Sequence, residues 1–329
     1  MNADMPATAS APPDTCTVLC IGEAEGQVWV ATDTGLWHGH GNEWRRLAAP
    51  GDPQIVSVVT CAGASEDSGA VVLAAGLGGG VLYSPDAGAH WFGSVVDDVA
   101  SSVTCFAVSP RFAQDRVVLA GTEGDGVLRS TDGGRRWRLA NFGLTGYAVL
   151  AIAAPSAWRR REEVFLATDE SVYRSPNGGR AWQQTGVGLE AVVVQALATS
   201  PQFAVDQMLY AGSEGGGLYR SVDAGRSWQL RSLDLAGINC IWVAPDDPAL
   251  IVIGTSDGAI LRSADGGACW ERVWFGADGV LALGGDKRFL YAGLFRAGML
   301  VSLDCGRTWR RASELGGPVA PFAVGRNAY

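Results

Sequence analysis

Histidine is scarce in this 329-residue chain, and charged residues make up only 18% of it. Catalytic triads and most zinc sites depend on histidine, and the chain has only His38, His40 and His90 from which to build either. His38 and His40 alternate on one predicted strand, but two ligands do not make a metal site. We therefore expect this protein to hold no metal and no cofactor.

Positive charge is also in deficit, with 25 lysines and arginines against 34 acidic residues and a net charge of −9. Binding to nucleic acid through its phosphates needs the opposite sign, which excludes a nucleic-acid partner. Apolar runs such as 191–198 are far too short to cross a bilayer, so we expect no membrane insertion. Residues 1–14 are small, polar and proline-rich, without the basic and apolar regions of a signal peptide. They are predicted to form a disordered N-terminal tail.

The seven cysteines follow neither a disulfide framework nor a zinc-site pattern, since their number is odd and no two are spaced as CxxC. Several lie inside apolar runs, as Cys105 does within 103–108. Buried free thiols of this kind are typical of a reducing compartment, and we expect a cytoplasmic protein. The cysteines are Cys16, Cys20, Cys61, Cys105, Cys240, Cys269 and Cys305.

Glycine and tryptophan are abundant, at 45 and 12 residues, and many of them belong to one repeated phrase. The phrase reads Ser-x-Asp-x-Gly-x-x-Trp and occurs six times, with Asn177 replacing the aspartate once. Counting back 47 residues from Trp91 reaches Trp44, where the phrase has decayed but its spacing survives, which makes seven units. The six phrases comprise Ser84, Asp86, Gly88 and Trp91; Ser130, Asp132, Gly134 and Trp137; Ser175, Asn177, Gly179 and Trp182; Ser221, Asp223, Gly225 and Trp228; Ser263, Asp265, Gly267 and Trp270; and Ser302, Asp304, Gly306 and Trp309.

Each unit contains four short apolar segments separated by Gly, Pro, Asp and Asn, as 103–110, 116–121, 126–130 and 136–140 illustrate. No segment has a sustained helical period. Four strands per unit of about 45 residues are typical of a propeller blade. The sequence therefore predicts one all-β domain over 15–329, a seven-bladed β-propeller of four-stranded antiparallel blades. Its outer strands are predicted to end near Trp44, Trp91, Trp137, Trp182, Trp228, Trp270 and Trp309.

An eighth candidate inner strand, 318–324, follows the last phrase and has no outer strands of its own. We expect it to close the ring by completing or abutting the first blade, in competition with 15–21 for the inner place. Such closure removes free sheet edges. The inner strands of the other blades are aligned on their apolar pattern. That alignment places a neutral ring at one level of the central channel, formed by Thr17, Ser57, Thr104, Val149, Gln195 and Asn239.

The phrase resembles the Asp-box, or BNR repeat, of sialidase-like β-propellers. One box per blade in a ring of seven is similar to photosystem II stability/assembly factor-type propellers and to xyloglucanase half-domains. The resemblance implies that ligand sites lie on the face formed by the turns between second and third strands, which we call the top face; the phrases lie on the bottom face. Inside the phrase the Asp accepts turn amides, the Gly supplies a positive φ and the Trp packs between layers. We expect these roles to be structural, because Asn177 replaces a carboxylate without disturbing the phrase.

The two faces are predicted to carry opposite charge, a field that orients binding partners, although an acidic rim that only keeps the ring soluble is an equal alternative. Only Arg296 opposes the carboxylates of the top turns and crossings. These carboxylates are Asp33, Glu123, Asp125, Asp169, Glu170, Glu214 and Asp257 in the turns, and Asp97, Asp98, Glu190, Asp234 and Asp278 in the crossings between blades. The bottom face collects Arg111, Arg116, Arg135, Arg136, Arg159, Arg160, Arg161, Arg180, Arg226 and Arg307.

Two functions remain open, and a sialidase is excluded because the top turns hold carboxylates where an anionic sugar needs arginines. A glycoside hydrolase would need a pair of carboxylates, with Asp125, Asp169 and Glu214 as candidates, although sugar-stacking aromatics are few besides Phe295. A non-catalytic scaffold for a protein partner is the favoured interpretation. Glycan binding or hydrolysis is the alternative. Possible interaction residues are Trp158, Arg159, Arg160 and Arg161 in one protruding turn, and Asp33, Glu123, Asp257 and Arg296 on the top face.

Overall fold

The computed structural model describes residues 12, 14–24, 27–40, 43–47, 54–61, 70–78, 80–96, 101–156, 162–231 and 235–316. Within these residues, strands form seven separate sheets, each built on four consecutive antiparallel strands. One sheet has a fifth, short strand from the preceding crossing, which pairs in parallel with its outer strand. The first strand of each sheet contacts the first strand of the next, and the seventh contacts the first. The sheets therefore surround an axis, which confirms the predicted seven-bladed β-propeller.

The strands of each blade follow the chain from the axis outward. The first four blades are β1 (Val18–Ala24), β2 (Gln27–Thr32), β3 (Gly35–His40) and β4 (Glu43–Leu47); β5 (Ile55–Cys61), β6 (Val71–Gly76), β7 (Val81–Ser84) and β8 (Phe92–Gly93), followed by the linking strand β9 (Val95–Val96); β10 (Val103–Val108), β11 (Val118–Thr122), β12 (Val127–Ser130) and β13 (Arg136–Leu139); and β14 (Val149–Ala153), β15 (Val164–Thr168), β16 (Val172–Ser175) and β17 (Gln183–Thr185). The last three are β18 (Val194–Thr199), β19 (Leu209–Ser213), β20 (Leu218–Ser221) and β21 (Gln229–Arg231); β22 (Ile238–Ala244), β23 (Asp247–Thr255), β24 (Ala259–Ser263) and β25 (Glu271–Phe275); and β26 (Val280–Gly285), β27 (Leu290–Leu294), β28 (Met299–Ser302) and β29 (Arg310–Arg311).

Helical structure among the described residues is limited to short turns. Two four-residue helices, α1 (Phe112–Asp115) and α2 (Phe203–Asp206), follow the inner strands of the third and fifth blades, and a 3-10 turn spans Ala312–Gly316. In both helices the phenylalanine is buried and the aspartate accepts hydrogen bonds from the adjoining turn. No helix in this part of the chain is long and apolar enough to span a membrane.

The second strands form the core because neighbouring blades cover both of their faces. Residues of β11, β15, β19 and β27 are buried without exception, so these strands are continuous apolar or small-residue runs rather than alternating ones. Each outer strand begins within one residue of its tryptophan, where the sequence spacing predicted that it ends. The tryptophans therefore mark the entry to the outer strands.

Each inner strand has the same β-bulge after its first residue, and this corrects the predicted channel ring. Thr104, Gln195 and Asn239 are bulge residues, but Thr17, Ser57 and Val149 are not their equivalents. The prediction was wrong there because a bulge depends on hydrogen-bond register, which the apolar pattern does not reveal. The seven equivalent residues are Leu19, Val56, Thr104, Leu150, Gln195, Asn239 and Leu281.

The ring closes where the top turn of the last blade meets the entry to the first. The Gly298 amide donates to the Cys16 carbonyl (2.8 Å), just as the Gly126 amide donates to the Tyr147 carbonyl (2.9 Å) between the third and fourth blades. Strand β1 holds the inner place of the first blade. The segment 318–324, predicted to compete for that place, lies outside the described residues.

Candidate functional site

The repeated phrases build their turns from their own side chains. In the second phrase the Ser130 hydroxyl donates to Asp132 Oδ1 (2.9 Å), and the amides of Gly134 and Arg136 donate to Ser130 Oγ (2.9 Å) and Asp132 Oδ1 (3.0 Å). Asn177 Oδ1 accepts the corresponding bond from the Ala181 amide (3.0 Å). This geometry needs an acceptor oxygen at the third position of the phrase and does not need a charge.

Hydrogen bonding holds several phrase carboxylates in the ionised form. The Cys269 amide is the main cause that lowers the pKa of Asp265 to about 2, with the Ser263 hydroxyl second. For Asp86, desolvation acts to raise the pKa, but hydrogen bonds from the ring and amide of His90 outweigh it and the pKa is lowered. A general acid in glycoside hydrolysis needs a raised pKa. These carboxylates are therefore poorly suited to that role.

The phrases also join neighbouring blades through their glycines and backbone carbonyls, whereas the sequence analysis assigned packing to the tryptophans alone. A Cβ atom on Gly179 would lie 2.7 Å from Leu119 Cδ2 of the preceding blade, so the turn presses directly on that side chain. Arg129, also of the preceding blade, donates from Nε to the Gly178 carbonyl (2.9 Å). The same contact joins the sixth blade to the seventh, where Arg262 donates from Nε to the Cys305 carbonyl (2.9 Å). Residues of the phrase are thus occupied by blade-to-blade packing.

The seven top turns hold the acidic residues that the sequence placed there. Among the residues described in these turns, Arg296 is the one basic side chain against seven carboxylates. The turns are fixed by backbone hydrogen bonds to the entry of the same blade, as in Glu123 to Ser102 (3.0 Å), Asp169 to Ala148 (3.1 Å) and Glu214 to Val193 (3.0 Å). The seven carboxylates belong to Asp33, Glu123, Asp125, Asp169, Glu170, Glu214 and Asp257.

The three candidate catalytic carboxylates lie on three successive blades. Asp125, Asp169 and Glu214 occupy the top turns of the third, fourth and fifth blades respectively, one candidate in each. Asp125 is already used within the fold, because its Oδ2 accepts the Ser101 amide (2.9 Å). No two of the candidates share a turn.

The predicted interaction residues divide into those the structure describes and those it does not. Asp33 Oδ1 accepts the Thr17 amide (3.0 Å), and Asp257 Oδ1 accepts the Thr255 hydroxyl (2.5 Å). Arg296 stacks over the ring of Phe295, with its guanidinium carbon 4.7 Å from the ring centre. Among the crossing residues, Glu190 accepts the Gly188 amide (3.0 Å), which lowers its pKa. The turn of Trp158, Arg159, Arg160 and Arg161, and the acids Asp97, Asp98 and Asp234, lie outside the described residues.

Several arginines of the bottom face are engaged within the protein. Glu162 binds both Arg111 and Arg180, with nitrogen–oxygen distances of 2.8 Å to each. Arg116 lies over the ring of Phe112, and Arg135 lies over the ring of Tyr83 in the preceding blade. Part of the positive charge predicted for this face is therefore engaged in contacts within the protein.

Histidine offers no metal centre in the described chain. Burial, followed by the charge of Arg45, lowers the pKa of His38 to about 4, and its Nδ1 accepts the Arg45 Nε–H (3.3 Å). Within the ranges that the structure covers, no three His, Cys, Asp or Glu side chains are grouped as metal ligands.

Exposed aromatic residues are more numerous in the crossings than the sequence analysis recognised. Tyr147 is 46% exposed, and its carbonyl accepts the Gly126 amide of a top turn. Phe142, in the same crossing, is 80% exposed, and its carbonyl accepts the Trp182 amide of the fourth blade. Phe275, at the end of β25, is 61% exposed. The sequence analysis looked for aromatic residues in the top turns and not in the crossings between blades. An aromatic residue shortly after a predicted outer strand would have indicated these positions.

A groove of about 430 Å³ lies on the top face at the fifth blade. One wall is the crossing segment 191–193, and the other is the turn that contains Ser213, Glu214, Gly215 and Gly217. Tyr219 and Leu230 complete the lining. Glu214 had been singled out from the sequence as a candidate carboxylate. The apolar partners that surround it had not, because they come from three separate segments of the chain.

Comparison with known proteins supports the fold and no closer relationship. No family model matches the chain, and no curated protein matches it. Among solved structures, "YCF48 bound to D1 peptide" matches with a TM-score of 0.66 and 17% identity, over 90% of this chain and 95% of that one. A GH74 enzyme of Niastella koreensis matches with a TM-score of 0.71 and 15% identity, over 93% of this chain and 55% of that one.

The WD40 β-propeller domain of Doa1 is similar to the same extent, with a TM-score of 0.68 and 14% identity over 92% of this chain and 97% of that one. These neighbours include propellers of unlike function, and this chain spans about half the length of the GH74 enzyme. At such low identity the likeness extends to the architecture alone. The chain is a β-propeller similar in fold to YCF48, GH74 and WD40 propellers.

Proposed function

We propose that this protein is a non-catalytic scaffold whose top face binds a protein partner. The observation that carries the proposal is the charge of the seven top turns, whose described residues hold seven carboxylates and one arginine. Backbone bonds fix these turns on a ring of packed blades, so little conformational entropy is lost when a partner binds. A surface of one sign also orients an approaching partner of the opposite sign and speeds its association.

One neighbour in fold supports a protein partner, because that structure is of YCF48 bound to a D1 peptide. The six phrases support membership of the Asp-box superfamily, because all of them share the Ser-to-Asp or Ser-to-Asn hydrogen bond. We also propose a reducing, cytoplasmic compartment, since all seven cysteines are free thiols.

Glycan binding or hydrolysis is the second candidate, and the exposed rings of Phe142 and Tyr147 favour it, because sugars stack on aromatic faces. Against hydrolysis, Asp125 Oδ2 already accepts the Ser101 amide (2.9 Å) within the fold. A hydrolase needs one of its two carboxyl groups free to act as a general acid with a raised pKa.

The test combines photo-crosslinking with an activity assay. A photoreactive residue at Tyr147 is expected to crosslink a defined protein in the source cell, whereas one at Leu303, exposed on the bottom face, is not. Binding is expected to weaken as salt is raised. Crosslinking at Leu303 alone would reject the top face. Turnover of a polysaccharide that is abolished by Asp125→Asn or Asp169→Asn would reject the scaffold in favour of the hydrolase.

A further inference from the structure

We propose that the groove at the fifth blade binds an extended peptide segment through one large apolar side chain flanked by basic residues. This inference rests on the proposed scaffold function and names where the partner binds and with what chemistry. It is carried by the floor of the groove, by its glycine wall and by the carboxylates around it.

The floor is an exposed apolar pair on the face of the blade. Tyr219 and Leu230 lie directly opposite each other on β20 and β21, and Leu230 is 57% exposed. Directly paired side chains on one face of a sheet form a continuous contact surface. Arg220 and Arg231 alternate with this pair along their strands and so belong to the other face of the sheet. The floor therefore presents apolar surface without a positive charge.

The turn that contains Gly215, Gly216 and Gly217, which we call the glycine wall, leaves this floor uncovered. A Cβ atom on Gly217 would lie 2.8 Å from Tyr219 Cε2 and 3.1 Å from Leu230 Cδ1, so any side chain there would cover the pair. A Cβ on Gly215 would have no atom within 4 Å, because that position faces open space. The neighbouring Gly216 has a φ of +87° and a Cβ there would collide with the Leu235 carbonyl, so this position of the turn also requires glycine.

The size and charge of the groove indicate what it takes. Its volume of about 430 Å³ is within the range of ligand pockets and admits one aromatic or leucine side chain with adjoining backbone. Glu214 lines it, while Asp169 and Glu170 of the fourth blade and Asp257 of the sixth lie in the turns on either side. Among the described residues, no lysine or arginine lines the groove. An apolar anchor between lysines or arginines complements both features, whereas an acidic peptide would be repelled.

Three labelled pentapeptides with terminal glycines, measured by fluorescence anisotropy, test the proposal. The central triplets are Lys-Phe-Lys, Lys-Ser-Lys and Glu-Phe-Glu. We expect binding of the first only, because the second lacks the anchor and the third has the wrong charge. Equal binding of the first two would overturn the apolar anchor. Equal binding of the first and third would overturn the charge complementarity. No binding of the first at millimolar concentration would overturn the proposal.

Matched variants locate the bound peptide. Leu230→Ser is expected to weaken Lys-Phe-Lys binding at least tenfold, because it removes most of an exposed apolar contact from the floor. The control variant is Leu139→Ser. Leu139 is 48% exposed on the outer strand of the third blade, and this variant is expected to bind the Lys-Phe-Lys peptide with the affinity of the unaltered protein. Gly215→Trp fills the groove from a position with free space and is expected to abolish binding while the circular dichroism spectrum is unchanged.

The charge is tested in the same way and then on the crosslinked partner. Glu214→Gln is expected to weaken binding three- to tenfold and to flatten its salt dependence, whereas Glu271→Gln on the outer strand of the sixth blade is expected to do neither. Unaltered affinity in Leu230→Ser or Gly215→Trp would overturn the groove. If the crosslinked partner were held as tightly by these two variants, the groove would be wrong and the scaffold function would stand. Loss of that partner in both variants would support both.

Discussion

A single methyl group added at Gly134 tests whether the repeated phrases hold neighbouring blades together. Gly134 has a φ of +89°, and a Cβ there would overlap Leu73 Cδ2 of the preceding blade and lie 3.0 Å from its Cδ1. Leu73 is fully buried. The adjacent Gly133, with a φ of +79°, has room, because a Cβ there would lie 3.6 Å from Phe112 Cζ.

The expected losses follow from these two environments. A left-handed backbone conformation costs a non-glycine residue about 1–2 kcal/mol, and overpacking a buried contact costs about 1–3 kcal/mol more. Gly134→Ala is therefore expected to lower the free energy of unfolding by about 2–5 kcal/mol, and Gly133→Ala by about 1–2 kcal/mol. Alanine and cysteine already occupy the position of Gly133 in other phrases, at Ala87, Ala224 and Cys305 with φ between 53° and 61°.

Urea denaturation followed by tryptophan fluorescence measures both variants. The double variant Leu73→Ala with Gly134→Ala is expected to lose less than the sum of its single variants, because truncating Leu73 makes room for the new methyl group. Equal losses in Gly133→Ala and Gly134→Ala, or strictly additive losses in the double variant, would refute contact between the phrase and the preceding blade as the cause.

Three further predictions concern the phrases and the thiols. Asp132→Asn is expected to fold with an unchanged melting temperature at neutral pH, since Asn177 makes the same bonds; a large loss would mean that the charge matters. Hydrogen bonds to the ionised Asp265 lower its pKa to about 2, below the unfolded value of about 4, so the ionised carboxylate stabilises the fold above pH 4. We expect the melting temperature to fall as the pH drops from about 4 to 2, because the carboxylate is then protonated. Burial raises the pKa of Cys105 to about 11, and the hydrogen bond with Asp265 raises the pKa of Cys269, but the Cys269 thiol is exposed. Mass spectrometry after iodoacetamide treatment at neutral pH should therefore find Cys269 alkylated before Cys105, and equal rates would contradict this expectation.

The number of blades and the order of strands were predictable because the information is local and repeated. The bonds among Ser130, Asp132 and Gly134 lie within one hairpin, and the glycine amide donates to the serine hydroxyl oxygen in all six phrases. The buried second strands read as continuous apolar runs for a similar reason, since each strand is covered on both faces wherever it occurs. The acidity of the top turns followed directly once those turns were placed.

The tertiary structure alone decided the register at the axis and the composition of the groove. The bulge that puts Leu150 rather than Val149 at the level of Thr104 is set by hydrogen bonds between strands. The meeting of Tyr219 and Leu230 with segment 191–193, and of Gly179 with Leu119, joins residues that are distant along the chain. Hairpins are specified by neighbours in sequence, so the sequence determined the blades. Contacts between blades depend on how each sheet packs on the next, and only the assembled ring specifies them.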